Sequence, residues 1–185
     1  MRGMGVNVNL APVLDVPRRG GFISEQRRGY SRKAGRVGAI GSAFAAGMQA
    51  RGVAATAKHF PGLGAARETT DEQPVKLGLS RSTVRRVDEA PYRPFISAGG
   101  SLVMLSLAKY PALGGGPAAL SKAIATGELR GRLGFGGVSI SDALGAPASR
   151  SDPSGREGGH GRVHAGGPAG GHRRQPAALA LGRRA

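Results

Sequence analysis

An α/β fold built on a parallel sheet is predicted by three observations. Short apolar stretches recur at residues 5–10, 53–57, 101–106 and 138–141, longer stretches with helical spacing fall between them, and glycine- or proline-rich turns separate the two kinds. The first strand, 5–10, is followed by a loop to about residue 30 carrying Pro12, Asp15, Pro17, Gly20 and Gly21. A helix then spans about 31–51, with Ser31 as the expected cap, Val37, Ile40, Ala43, Phe44 and Gly47 on its apolar face and Gly52 at its end. Val53-Ala54-Ala55-Thr56-Ala57 is small, apolar and partly β-branched, as a buried parallel strand should be. The loop that follows runs to Leu79, and connections of that length in compact domains tend to be functional. A second helix begins near Ser80 or Ser82 with Val84, Val87, Tyr92, Phe95 and Ile96 apolar, and Pro91 and Pro94 must bend or interrupt it. The third strand, 101–106, a glycine turn at 114–116, a third helix capped by Ser121 and the fourth strand, 138–141, complete the alternation.

The chain has 185 residues, enough for one domain. It lacks cysteine, so neither a disulfide framework nor a thiolate metal site is available. No apolar run approaches the length of a membrane span and no signal-peptide core opens the chain, so a cytoplasmic protein is expected. A net charge of +16 raises the question of nucleic acid. The charge is nearly all arginine scattered over helix faces and the tail, and three Tyr, five Phe and no Trp offer little to stack bases, so a solvated basic surface is the favoured account.

The most informative run is Ala57-Lys58-His59-Phe60-Pro61-Gly62-Leu63-Gly64, which sets a cation and an imidazole at the carboxyl end of a strand and opens a glycine-punctuated loop. Parallel α/β folds bind their ligands at that end of the sheet. On spacing alone Lys58 could equally form a surface ion pair, His59 could be a core histidine bonded to backbone, and Asp142, after the fourth strand, could cap the next helix.

Four segments in order resemble glycoside hydrolase family 3, most closely its β-N-acetylhexosaminidase branch. They are Gly5 to Val16, Gly21-Phe22-Ile23 with Arg28-Gly29-Tyr30-Ser31, the Lys58-His59-Phe60-Pro61-Gly62 signature, and Leu133 to Leu144. The resemblance implies part of a (β/α)8 barrel over residues 1–145, about four parallel strands with outer helices, since a full barrel needs about 250 residues. It implies Asp142 as the nucleophile of a retaining hydrolase, and Arg28, Lys58 and His59 as ligands of the hydroxyls of a terminal β-linked N-acetylglucosamine or glucose. A carbohydrate substrate is the expected partner, with no metal or organic cofactor.

Two departures from the family pattern stand out. The branch carries a histidine acid/base in the loop after the signature, but here that loop reads Glu68-Thr69-Thr70-Asp71-Glu72-Gln73, with Gln73 where the histidine is expected. Glutamine cannot relay protons, so Asp71, Glu72 or Glu68 takes the role, another segment supplies it, or the chain binds sugar without turning it over. The family's sugar-gripping aspartate segment, which precedes the first strand, has no match, and the amino terminus is expected to be truncated. Residues 146–185 hold three of the four histidines and are dominated by Gly, Arg, Pro and Ala. A slipped reading frame or a disordered tail would give that composition, the former being favoured, and His160, His164 and His172 are not expected to form a metal site.

Overall fold

The structure is a computed structural model that describes residues 1–149 and 180–181. Four strands, β1 (Val8–Asn9), β2 (Ala54–Phe60), β3 (Leu102–Leu105) and β4 (Val138–Ser141), lie side by side in chain order, each parallel to the next. A fifth, β5 (Ala180–Leu181), pairs antiparallel with β4 and is an addition to the parallel set expected from the sequence. Otherwise the tail predicted to be unstructured lies outside the described residues, apart from the single 3-10 turn Pro147–Ser149, whose Ala148 is buried.

The first strand is shorter as a ladder, Val8–Asn9, than the expected 5–10. The chain still runs beside β2 beyond it. Thr56 donates to the Ala11 carbonyl (2.8 Å), Lys58 to that of Pro12 (3.1 Å) and Leu14 to that of Lys58 (2.7 Å). The second strand is longer than expected and runs through Phe60. Lys58 and His59 are therefore strand residues, not the first residues of a loop.

Helix α1 (Phe22–Glu25) is a single turn in the first loop, and α2 (Ala34–Gln49) forms the first crossover. α2 starts after Lys33, with Ser31 Oγ accepting from the Lys33 N–H instead of capping the helix. Its buried face is Val37, Gly38, Gly41 and Ala45, whereas the predicted face residues Ile40 and Phe44 are exposed. The helix buries its smallest residues because neighbouring backbone comes close: a Cβ at Gly38 would stand 2.8 Å from Pro94 Cγ and 3.2 Å from Pro91 Cα. The second expected helix is divided, as its prolines require, into α3 (Arg81–Thr83), a π-helical stretch Val84–Asp88, and α4 (Tyr92–Ser97). Ser80 caps α3 by accepting from the Thr83 N–H (3.2 Å). The third is the π-helical Ala123–Arg132, whose start has no side-chain cap, although the Ser121 carbonyl accepts from Ala125 (2.8 Å).

Ala55 and Ala57 of β2 and Val103 and Leu105 of β3 join Phe60, Tyr92 and Phe95 in one buried core. The Phe60 and Tyr92 rings meet edge to face, 5.0 Å between centroids. The long connection after β2 is not free-running: Lys109 donates to Val75 (2.8 Å) and Leu77 to Lys109 (2.9 Å), which ties its second half to the segment after β3. Among the described residues no helix is long and apolar enough to cross a membrane.

Candidate active site

The carboxyl ends of β2 and β4 and the loop after β1 build the site together. In β2 the pairing with β3 advances from Lys58 opposite Met104 to Phe60 opposite Leu105, so His59 is the extra residue of a β-bulge. Bulges re-aim side chains and recur beside active sites. The His59 ring, almost fully buried, lies between two carboxylates. Nδ1 is 2.7 Å from Asp15 Oδ2 and Nε2 is 3.9 Å from Asp142 Oδ2.

Asp15 was not singled out by the sequence reading as a site residue. It is fully buried, and its Oδ1 accepts from the backbone N–H of His59 (3.2 Å) and of Leu63 (2.6 Å). The available signal was its setting, an aspartate within the apolar run Val13-Leu14-Asp15-Val16. A carboxylate in such a run is either unfavourable or partnered.

Asp142 directly follows β4. Its backbone N–H donates to Leu105 (3.1 Å) and its Oδ1 accepts from the Ala143 N–H (2.9 Å), while its side chain remains one-fifth exposed. The carboxylate thus accepts one local bond and stays partly open to solvent.

Lys58 is half-buried and lies within the fields of Arg28, Asp142, Asp15 and Asp71. Burial lowers its pKa first, the Arg28 charge lowers it further, and the three aspartates oppose both. Of the five residues predicted for the site, Lys58 and His59 are adjacent on β2, Asp142 lies beside His59, and the charges of Arg28 and Asp71 act on Lys58. The two flanking residues are held differently. Arg28 reaches Gln26 (3.3 Å) and stacks 6.0 Å from the centre of the Phe22 ring. Asp71 sits in an exposed turn where Thr69 Oγ1 both donates to its carboxylate and accepts from its N–H, each 3.2 Å. Gln73, at the position where a histidine was expected, donates to Glu68.

A partly buried ion pair ties the loop after β1 to the π-helical stretch Val84–Asp88. Arg18 makes a two-pronged contact with Asp88, both bonds 2.8 Å, and also donates to the Val16 carbonyl. Burial pushes the Asp88 carboxyl up to about 6, with the Arg18 guanidinium pulling the other way and Asp15 adding to the rise. Tyr110, fully buried, donates to the Gly62 carbonyl (3.0 Å), and burial raises its phenol above the ordinary range. The loops themselves touch: Arg18 donates to the Gly64 carbonyl (3.0 Å), and a Cβ at Gly64 would collide with the Val16 backbone, so only glycine fits there. Among the described residues no group of three or more His, Cys, Asp or Glu side chains is placed to hold a metal ion.

Comparisons with known proteins agree with this fold. The sequence profile described as "Glycosyl hydrolase family 3 N terminal domain" matches residues 1–166. An uncharacterized secreted glycosyl hydrolase of Arthroderma benhamiae is 46% identical over 155 residues, 82% of this chain and 44% of the relative. A β-hexosaminidase of Stenotrophomonas maltophilia is 36% identical over 151 residues, again 82% of this chain and 44% of the relative. Among solved structures, a family 3 β-N-acetylglucosaminidase from a Paenibacillus species superposes with a TM-score of 0.76 at 36% identity, covering 80% of this chain and 28% of that one. A β-N-acetylhexosaminidase from Beutenbergia cavernae gives 0.74 at 35% identity, covering 80% and 45%. The chain thus spans less than half the length of these relatives. The matched profile, the parallel sheet and the Lys-His-Phe-Pro-Gly strand lead to one assignment: this chain belongs to glycoside hydrolase family 3, through its N-terminal barrel-type domain.

Proposed function

We propose that the rim around His59 and Asp142 is the active site of a retaining glycoside hydrolase acting on terminal β-linked sugars, N-acetylglucosamine or glucose. The observation that carries this reading is the placement of the partly exposed Asp142 carboxylate at the end of β4, 3.9 Å from His59 Nε2 and within the field of Lys58. The relatives described as β-hexosaminidases and β-N-acetylglucosaminidases favour N-acetylglucosamine.

In this reading an Asp142 oxygen attacks the anomeric carbon as the bond from that carbon to the leaving oxygen breaks, and an acid delivers a proton to that oxygen. Water then attacks the same carbon, loses its proton to the conjugate base and frees Asp142. Asp71 is the acid/base candidate, because its charge reaches Lys58 and it stands in the loop where the family's branch places that group. Lys58, Arg28 and His59 bind sugar hydroxyls, the first two only as donors.

The test is hydrolysis of aryl β-N-acetylglucosaminides and aryl β-glucosides by the chain and its variants. Asp142→Ala should lower kcat/KM by about three orders of magnitude or more. Asp71→Asn should cost about 10²–10⁴-fold with a poor leaving group and far less with dinitrophenol, which departs without a proton. Turnover unchanged in Asp142→Ala would overturn the nucleophile assignment. Sugar affinity without turnover in the parent chain would leave carbohydrate binding as the function, in keeping with Gln73, bonded to Glu68, at the position where the acid/base histidine was expected.

A further inference from the structure

Asp15 divides its two oxygens between two tasks. Oδ1 receives both backbone N–H groups, from His59 and Leu63, and so holds the turn after β2; Oδ2 meets only the imidazole, at 2.7 Å from Nδ1. An ionised carboxylate accepts and cannot donate, so the ring nitrogen facing it must carry the hydrogen. With both partners buried, no solvent competes for that bond.

We propose that Asp15 is a positioning residue that fixes neutral His59 as the Nδ1–H tautomer, so that Nε2 faces the site as a hydrogen-bond acceptor. The distance from Nε2 to Asp142 Oδ2, 3.9 Å, is beyond a hydrogen bond, so the two atoms do not satisfy each other. Each remains open to a donor. Lys58 next to His59 offers only donors, and so does Arg28. The rim therefore sets a fixed acceptor near cationic donors, a pattern that matches a sugar hydroxyl, which gives one hydrogen and accepts others. The identity of that donor rests on the proposed function, but the tautomer does not.

Asp15→Asn separates the two tasks. Its amide oxygen can keep the Oδ1 bonds to both backbone N–H groups, and its NH2 then faces Nδ1. That geometry demands an unprotonated Nδ1 and moves the hydrogen to Nε2. Long-range ¹H–¹⁵N spectra of the full chain, recorded well above the ordinary imidazole pKa of ~6.5, read the tautomer directly, with His59→Gln identifying the His59 signals. The expected result is Nδ1–H in the parent chain and Nε2–H in Asp15→Asn, with unchanged far-ultraviolet circular dichroism. An Nε2–H tautomer in the parent overturns the proposal whether or not the variant folds, and so does a folded variant whose tautomer does not change. Titration with N-acetylglucosamine gives the second arm, in which Asp15→Asn should weaken binding about tenfold as one hydrogen bond becomes a donor–donor contact. Equal affinity in the two proteins would remove the acceptor from sugar recognition. A parent chain that binds neither N-acetylglucosamine nor glucose would count against the proposed function, and the spectra would still decide the role of Asp15.

Discussion

The two sides of the site are held in opposite ways. Segments 12–18 and 58–64 are knitted by non-local bonds: Asp15 to His59 and Leu63 across more than forty residues, Arg18 to Asp88 across seventy, and Tyr110 to Gly62 across forty-eight. Among the described residues segment 68–73 makes its side-chain hydrogen bonds only within itself, Thr69 with Asp71 and Gln73 with Glu68, and these contacts are exposed. The side of the site that carries Lys58 and His59 is thus fixed by burial, whereas the loop that would supply the proton is fixed by its own turn. A pre-organised binding side and an adjustable loop are a workable division for a reaction in which the proton donor must give up its proton and take it back.

The contrast can be broken hardest at Arg18. Arg18→Ala leaves the Asp88 carboxylate buried and unpaired, and should cost about 3–5 kcal/mol in urea unfolding at neutral pH. Leu105→Ala, in the sheet that carries both segments, should cost about 2–5 kcal/mol by creating a cavity; a loss near zero would show that the rim does not rest on that core. The third effect is set by pH. Asp88 sits at about 6 in the folded chain against an ordinary 3.8, so the native state holds this proton more tightly than the unfolded chain. Its contribution therefore falls as pH rises from about 4 to about 6, by up to about 3 kcal/mol, and is flat beyond that. Asp88→Asn should remove that slope from a series of urea melts. The smallest effect belongs to the self-contained turn: Gln73→Ala should change stability by no more than about 0.5 kcal/mol. A larger loss would mean that segment 68–73 is anchored more firmly than its exposed bonds imply.

Much of this arrangement was legible in the sequence, and the gaps have physical causes. Lys58, His59 and Asp142 stand where local strand signals end, but spacing alone leaves each a purely structural reading, and it is the resemblance to the family's motifs that marks them as site residues. The four parallel strands followed from the same alternation. Asp15 was passed over because an aspartate between prolines reads as a turn residue, and its partners are forty-four and forty-eight residues away. Nothing local marks Arg18 and Asp88 as a pair. The face of α2 was misread because apolar size was taken as the guide to burial, while the actual contact with Pro91 and Pro94 required the absence of a side chain at Gly38. The end of β2 was placed too early because a bulge at His59 keeps the strand paired past its polar residues.

The close crossing of Gly64 and Val16 has a consequence for anyone recombining this domain with its relatives. Two stretches nearly fifty positions apart share one van der Waals surface and a backbone hydrogen bond from Arg18 to Gly64. A chimera that inherits 58–66 from one parent and 12–18 from another will function only if both parents trace the same backbone at that crossing. The unit of exchange is therefore the discontinuous pair, and a breakpoint between residues 18 and 58 is the worst place to join two parents.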